Sequence, residues 1–97
     1  MAPDPKLGPY GQKFKASLSE KGAAHPDTLK FQRVYAEELI ASGQVEEGIG
    51  QHRFFYQGCR AVFGEDHVVT LEARHTFAWR LGESGRLNHA MVIRRVP

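Results

Sequence analysis

The sequence predicts an all-α fold of antiparallel helix-turn-helix repeats, with about five helices in a short superhelical stack. The main observation is an internal repeat: His25 to Gly48 recurs without a gap 42 residues later as His67 to Ala90. Self-similarity at a period of about 20 to 50 residues is typical of repeat architectures. Apolar residues also keep helical spacing, and a glycine marks each corner. The identities of the repeat are His25, Thr28, Leu29, Ala36, Leu39, Ser42 and Gly43, which recur as His67, Thr70, Leu71, Ala78, Leu81, Ser84 and Gly85.

The first helix is predicted to follow a flexible arm. Residues 1–8 contain two prolines and form the arm, and residues 9–97 form one helical repeat domain. Pro9 suits the first turn of a helix, where its missing N–H costs no hydrogen bond. Apolar residues at four-residue spacing from Tyr10 fall on one helical face, and Gly22 ends this helix.

The second helix is predicted to open at His25 and Pro26, with Asp27 in its first turn. A carboxylate at that position complements the helix dipole. Gly43 is expected to end this helix in a left-handed conformation, which glycine adopts without steric cost. The corner residue His25 can cap or buttress its turn, and its equivalent His67 can do the same.

The remaining chain predicts three further helices. The third starts near Val45 and ends at Gly64, and its internal glycines each weaken it by roughly 1 kcal/mol relative to alanine. A small residue at Gly48 also permits close approach of another helix. The fourth helix runs from about Val68 to Glu83 and is ended by Gly85, and a fifth starts at Leu87 and continues to Val96.

Composition and charge favour a cytoplasmic globular protein. The net charge of +2 gives no strong attraction to nucleic acid or membranes, and the basic Arg94-Arg95 end lacks interleaved aromatic residues. No apolar run reaches the ~18 residues of a membrane span, and the start has no signal-peptide pattern. Cys59 is the only cysteine, which fits a reducing compartment. We therefore expect neither nucleic acid nor membrane as a partner.

The repeat resembles a known family. The stretch H-P-D-T-L-x3-R-x2-A-x2-L-x3-G-x-V-E-E-G from His25, with F-G-E-D-H-x2-T-L from Phe63, is similar to the 42-residue tetratricopeptide repeats of kinesin light chains. The resemblance covers about residues 22–90, roughly two units. Gly48 and Phe55 stand where the family prefers alanine, and Val68-Val69 replaces a Pro-Asp pair.

The resemblance implies a scaffold without chemistry of its own, in which the first helix of each pair lines a concave groove that binds peptides or partner proteins. It also implies that the periodic core residues take the opposite helix face. The implied groove residues are Lys30, Arg33, Glu37 and Ile40 in the first pair, and Glu72, His75, Trp79 and Glu83 in the second. The implied core residues are Leu29, Tyr35, Ala36 and Leu39, with Leu71, Phe77, Ala78 and Leu81 as their equivalents.

Several groove residues have a second interpretation. Trp79 is either a binding anchor, as tryptophan often is at interfaces, or a side chain that packs at the edge of the core. Lys30 and Arg33 are one helical turn apart and could grip a carboxylate together. Alternatively, they belong to a solvated face on which Arg33 pairs with Glu37.

Metal binding and catalysis have little support in the sequence. A zinc site needs three or four converging ligands, and none of the five histidines has another at i,i+4. Cys59 lies on the side of its helix predicted to be buried, where a free cysteine usually serves as a small core hydrophobe. We therefore predict a non-enzymatic chain with no metal and no cofactor.

The predicted function is a protein- or peptide-binding adaptor that self-associates. Repeat stacks of fewer than three units are marginal without capping, so the open ends are expected to be closed by a second copy or a larger partner. The alternative is a small ligand-binding or regulatory accessory protein. In that case an aromatic pocket would lie between the third and fourth helices, lined by Phe54, Tyr56, Phe63 and Trp79.

Overall fold

The computed structural model describes residues 8–84, and all regular structure within them is helical. The four helices are α1 (Pro9–Lys21), α2 (Pro26–Ala41), α3 (Val45–Phe63) and α4 (Val68–Ser84). The predicted all-α class is therefore confirmed, and the four predicted helices lie within one or two residues of their expected bounds. The arm up to Leu7, the Gly85 cap and the fifth helix at 87–96 lie outside the described residues.

The two equivalent corners begin their helices in the same way. His25 precedes α2, and its Nδ1 accepts a hydrogen bond from the backbone N–H of Asp27 at 3.0 Å. His67 precedes α4, and its Nδ1 accepts from the backbone N–H of Val69 at 3.1 Å. Each imidazole thus satisfies one of the backbone donors left free at a helix start. The predicted capping role of both histidines is confirmed.

Glycine ends the first three helices. Gly22, Gly43 and Gly64 have φ values of 88°, 91° and 91°, in the region that residues with a side chain rarely adopt. Three to four residues therefore suffice to turn the chain from one helix into the next. Each helix then packs chiefly against its neighbour in sequence, in the order α1, α2, α3, α4.

The core consists of two clusters, one on each side of α2. Phe14 from α1 stacks on Tyr35 at 5.5 Å between ring centroids, and Leu39 completes this first cluster. The second cluster joins α2, α3 and α4, and its buried members are Leu29, Phe55, Cys59 and Ala73. The four predicted core residues of α2 are all buried, so this part of the prediction is confirmed.

The core prediction is wrong for α4. Leu71 and Leu81 are 39% and 46% exposed, Ala78 is exposed, and Phe77 is only partly buried. The reason is that α4 packs extensively only against α3 among the described residues, whereas α2 lies between α1 and α3. The side of α4 that faces α3 carries the buried Thr70 and Ala73 instead.

Gly48 allows α2 and α3 to approach closely, as the sequence predicts. A Cβ added at Gly48 would lie 2.8 Å from the backbone oxygen of Ala36 and 2.5 Å from a side-chain carbon of Ile40. A Cβ at Gly50, two residues later, would meet nothing within 4 Å. The absence of a side chain at Gly48 is therefore a packing requirement, while Gly50 has open space.

Candidate functional site

The described residues form an open pocket of about 480 Å³ where α2, α3 and α4 meet. This volume lies within the range of roughly 300–1,000 Å³ that ligand pockets occupy. We refer to it as the central pocket. It is lined by Arg33 and Glu37 from α2, His52 and Phe55 from α3, and Val69, Glu72, Ala73 and Thr76 from α4.

Helical spacing explains why these side chains share one cavity. The four residues of α4 follow one another at intervals of three, one and three, so they form a stripe along a single face. Arg33 and Glu37 are four residues apart on α2, and His52 and Phe55 are three apart on α3. Each helix therefore presents one continuous face to the pocket.

A charged network joins the three helices beside the pocket. The Glu37 carboxylate accepts from His52 Nε2 at 2.6 Å and from Arg80 Nε at 3.2 Å, and Arg80 Nη2 donates to its second oxygen. Arg80 also donates from Nη1 to Glu83 at 3.0 Å. The Arg80–Glu37 contact is bidentate, and a bidentate arginine–carboxylate pair is stronger than one with a single hydrogen bond. Glu37 thereby links α2 to both α3 and α4.

The network keeps Glu37 ionised. Burial by itself would raise the pKa of Glu37, but the hydrogen bonds from Arg80 and His52 outweigh it, and the pKa is lowered. The pKa of Arg80 is raised, chiefly by its hydrogen bond to Glu37. Both residues therefore carry full charge at neutral pH, and they compensate each other.

His52 is almost completely buried, at 1% exposure, and one of its ring nitrogens has no partner among the described residues. An ionised carboxylate only accepts hydrogen bonds, so Nε2 carries the hydrogen that points to Glu37. Buried polar atoms are nearly always hydrogen-bonded, so the lack of a partner for Nδ1 in the described chain is unusual.

A second buried atom without a partner in the described region is the Thr70 hydroxyl. Thr28, the equivalent of Thr70, shares a 2.7 Å hydrogen bond with Ser17, and the residue 42 positions after Ser17 is Cys59. The thiol replaces a hydroxyl there, and sulfur is a weak hydrogen-bonding group. The second unit therefore lacks the hydroxyl that pairs with the equivalent threonine in the first unit.

Cys59 itself is fully buried, as the sequence predicts, and it belongs to the second core cluster. Burial raises the pKa of the thiol to about 11. The thiol is therefore protonated at neutral pH, whereas a reactive cysteine requires a thiolate. Its environment is that of a core residue.

The structure brings together half of the six residues predicted to bind a partner. Arg33, Glu37 and Glu72 line the central pocket. Two further groove positions, Ile40 and Glu83, line a smaller cavity of about 210 Å³ with Val45, Ile49 and Arg80.

Lys30, His75 and Trp79 are exposed and line neither of these cavities. Trp79 is 54% exposed, and the guanidinium carbon of Arg80 lies 4.9 Å from its ring centroid. Trp79 thus lies outside the central pocket, although the groove was expected to include it.

The sequence prediction missed His52 and Arg80 as members of the site. His52 shares a helical stripe with the buried residues Gly48, Ile49 and Phe55, so its burial could have been read from the spacing. Its pairing with Glu37 could not be read from the spacing, because Glu37 is on another helix. Arg80 lies 43 residues from Glu37 and has no sequence signal that connects the two.

The four aromatic residues of the alternative prediction do not line either cavity described above. Phe54 lies against the Arg53 guanidinium, and Tyr56 against that of Arg60. Phe63 stacks on His67 at 4.8 Å between centroids. The pocket that the structure describes has Phe55 as its aromatic residue instead.

Within residues 8–84, no three His, Cys, Asp or Glu side chains are arranged to hold a metal ion. None of the helices in this part of the chain is long and apolar enough to cross a membrane. No family model, no curated protein and no solved structure matches the chain.

Proposed function

We propose that the chain is a non-enzymatic module that binds peptides or partner proteins, and that the central pocket is its binding site. The observation that carries this proposal is the convergence of Arg33, Glu37 and Glu72 on one pocket. These residues are three of those implied by the resemblance to tetratricopeptide repeats. They come from α2 and α4, the two helices that occupy equivalent positions in the internal repeat.

Repeat-like features of the corners support a tetratricopeptide-like stack. The equivalent histidines cap α2 and α4 with the same nitrogen, and Gly22 and Gly64 end the preceding helices with nearly equal φ values. The Glu37–Arg80 contact joins α2 to α4. In such stacks the equivalent helices line the open surface to which partners bind.

Selection of peptides from a random display library, with the purified chain immobilised, tests this function. We expect enriched peptides whose affinity, measured by calorimetry, falls about tenfold (~1.4 kcal/mol) in Arg33→Glu or Glu72→Lys. Lys15→Glu is the matched control, because Lys15 is an exposed cation on α1, which contributes no residue to either cavity. Failure to enrich any peptide, or equal binding by the pocket variants and the control, would refute the proposal.

Self-association is the second part of the proposal, and the outer side of α4 supports it. Val68 and Leu71 are exposed there, which leaves apolar area that a second copy could cover. Light scattering after size exclusion, over a roughly hundredfold range of concentration, measures it, since mass action dissociates a weak dimer on dilution. A mass of 10.9 kDa at every concentration would exclude a stable dimer.

A further inference from the structure

Among residues 8–84, the lining of the central pocket has one charge of each sign without a partner. Arg33 on α2 and Glu72 on α4 line it, and neither forms a hydrogen bond or ion pair with another described residue. The third charged residue of the lining, Glu37, is already compensated by Arg80 and His52. A ligand therefore meets one free cation and one free anion, on different helices.

His52 forms a buried wall of this lining and not a contact for the ligand. Its side chain is 1% exposed, and its Nδ1 has almost no accessible surface. A ligand in the pocket therefore meets the charges of Arg33 and Glu72, and not this nitrogen.

The apolar part of the lining suits the stem of a long basic side chain. Phe55, Val69 and Ala73 provide carbon surface, and lysine and arginine bury their methylene chains on such surface while the charged head finds a partner. Arg33 offers the planar fork that binds a carboxylate with two parallel hydrogen bonds. The net charge of +2 supplies little general attraction, so selection depends on these local groups.

We propose that the central pocket recognises a peptide in which a lysine or arginine lies next to an acidic residue. The basic side chain binds Glu72, and the acidic side chain binds Arg33. This inference rests on the proposed peptide-binding function and specifies its ligand. A free zwitterionic small molecule, such as lysine itself, presents the same chemistry, but the pocket of about 480 Å³ has room for more than one side chain.

The first test is the composition of peptides selected from the random library. We expect the wild-type chain to enrich a basic residue beside an acidic one at a fixed position, and Glu72→Lys to lose the preference for the basic residue. If no peptide is enriched, the proposed function itself fails. If peptides are enriched without this charge pair, the function stands and the inference is wrong.

The second test is a double-mutant cycle on a selected peptide with acetylated and amidated ends. Replacing its basic residue by norleucine should weaken binding to the wild-type chain about tenfold, but should have little further effect on Glu72→Gln. Replacing its acidic residue by the amide should be coupled in the same way to Arg33→Gln. Both protein variants change exposed side chains that have no partner among residues 8–84, so they should fold normally.

If a change in the peptide lowers the affinity equally for the wild-type chain and for the matching protein variant, the peptide side chain does not contact the protein residue that was replaced. That result would overturn the proposal. Competition with free lysine distinguishes the source of the ligand. Displacement of the peptide by free lysine at a similar concentration would assign the pocket to a small molecule instead. No displacement supports the peptide.

Discussion

Replacement by alanine should stabilise the protein at Gly50 but not at Gly48, although both glycines lie in α3, two residues apart. Alanine is favoured over glycine in a helix interior by about 1 kcal/mol. A side chain at position 50 meets nothing within 4 Å, so Gly50→Ala should gain that amount in the free energy of unfolding. This variant measures the effect of helix propensity alone.

Gly48→Ala adds a steric cost to the same gain. The new Cβ would lie 2.8 Å from the Ala36 carbonyl oxygen, which is backbone, so relief requires α2 and α3 to separate. Overpacking of this kind costs typically 1–3 kcal/mol. After subtraction of the gain in helix propensity, Gly48→Ala should be destabilised by about 0–2 kcal/mol. The two variants should therefore differ by roughly 1–3 kcal/mol.

Thermal unfolding followed by far-ultraviolet circular dichroism measures this difference. One kcal/mol corresponds to a Tm shift of about 4–8 °C for a domain of this size, so the Tm of Gly48→Ala should lie at least ~4 °C below that of Gly50→Ala. Gly58→Ala is an intermediate case, because its Cβ would meet the flexible Leu29 side chain at 2.6 Å. An equal rise in Tm for Gly48→Ala and Gly50→Ala would refute the close approach of α2 and α3.

Two further predictions concern the polar interior. The folded-state pKa of Glu37 is below its unfolded value, so its stabilisation is present above about pH 4.3 and is lost as the pH falls through the folded pKa. Urea unfolding should therefore show Glu37→Gln less stable than wild type at neutral pH, with a gap that closes in acid; a gap independent of pH would contradict this. Cys59→Ser should place a hydroxyl near Thr70 and should be more stable than Cys59→Ala by about 1 kcal/mol, whereas equal stability would show that no hydrogen bond forms.

Local sequence signals were sufficient to predict the helices and their corners. The glycines that end α1, α2 and α3 need a backbone conformation that few other residues adopt, so their positions mark the turns directly. His25 and His67 cap through contacts two residues away, which makes their role visible in the repeat. The core face of α2 followed from spacing because helices pack against it on both sides.

The site was only partly predictable because its geometry depends on contacts between helices. The resemblance predicts Arg33, Glu37 and Glu72 as groove residues, and all three line the central pocket. Their equivalents in the other unit, His75, Trp79 and Lys30, do not line it, so which positions of α2 and α4 face the pocket does not follow from the repeat. It gave no indication that Glu37 pairs with Arg80, because the equivalent of Arg80 in the first unit is Glu38, which instead caps α1 at the backbone N–H of Tyr10. The same position thus has different roles in the two copies.

The Glu37–Arg80 contact also has a consequence for folding kinetics. Because each helix packs chiefly on the next one, most contacts close short loops, which favours rapid folding. The Glu37–Arg80 pair spans 43 residues and encloses all of α3, so it forms only when α2, α3 and α4 are already assembled. An interaction that forms after the transition state acts on unfolding rather than on folding. The pair should therefore slow the opening of α4 from the stack and set how long the binding surface persists once formed.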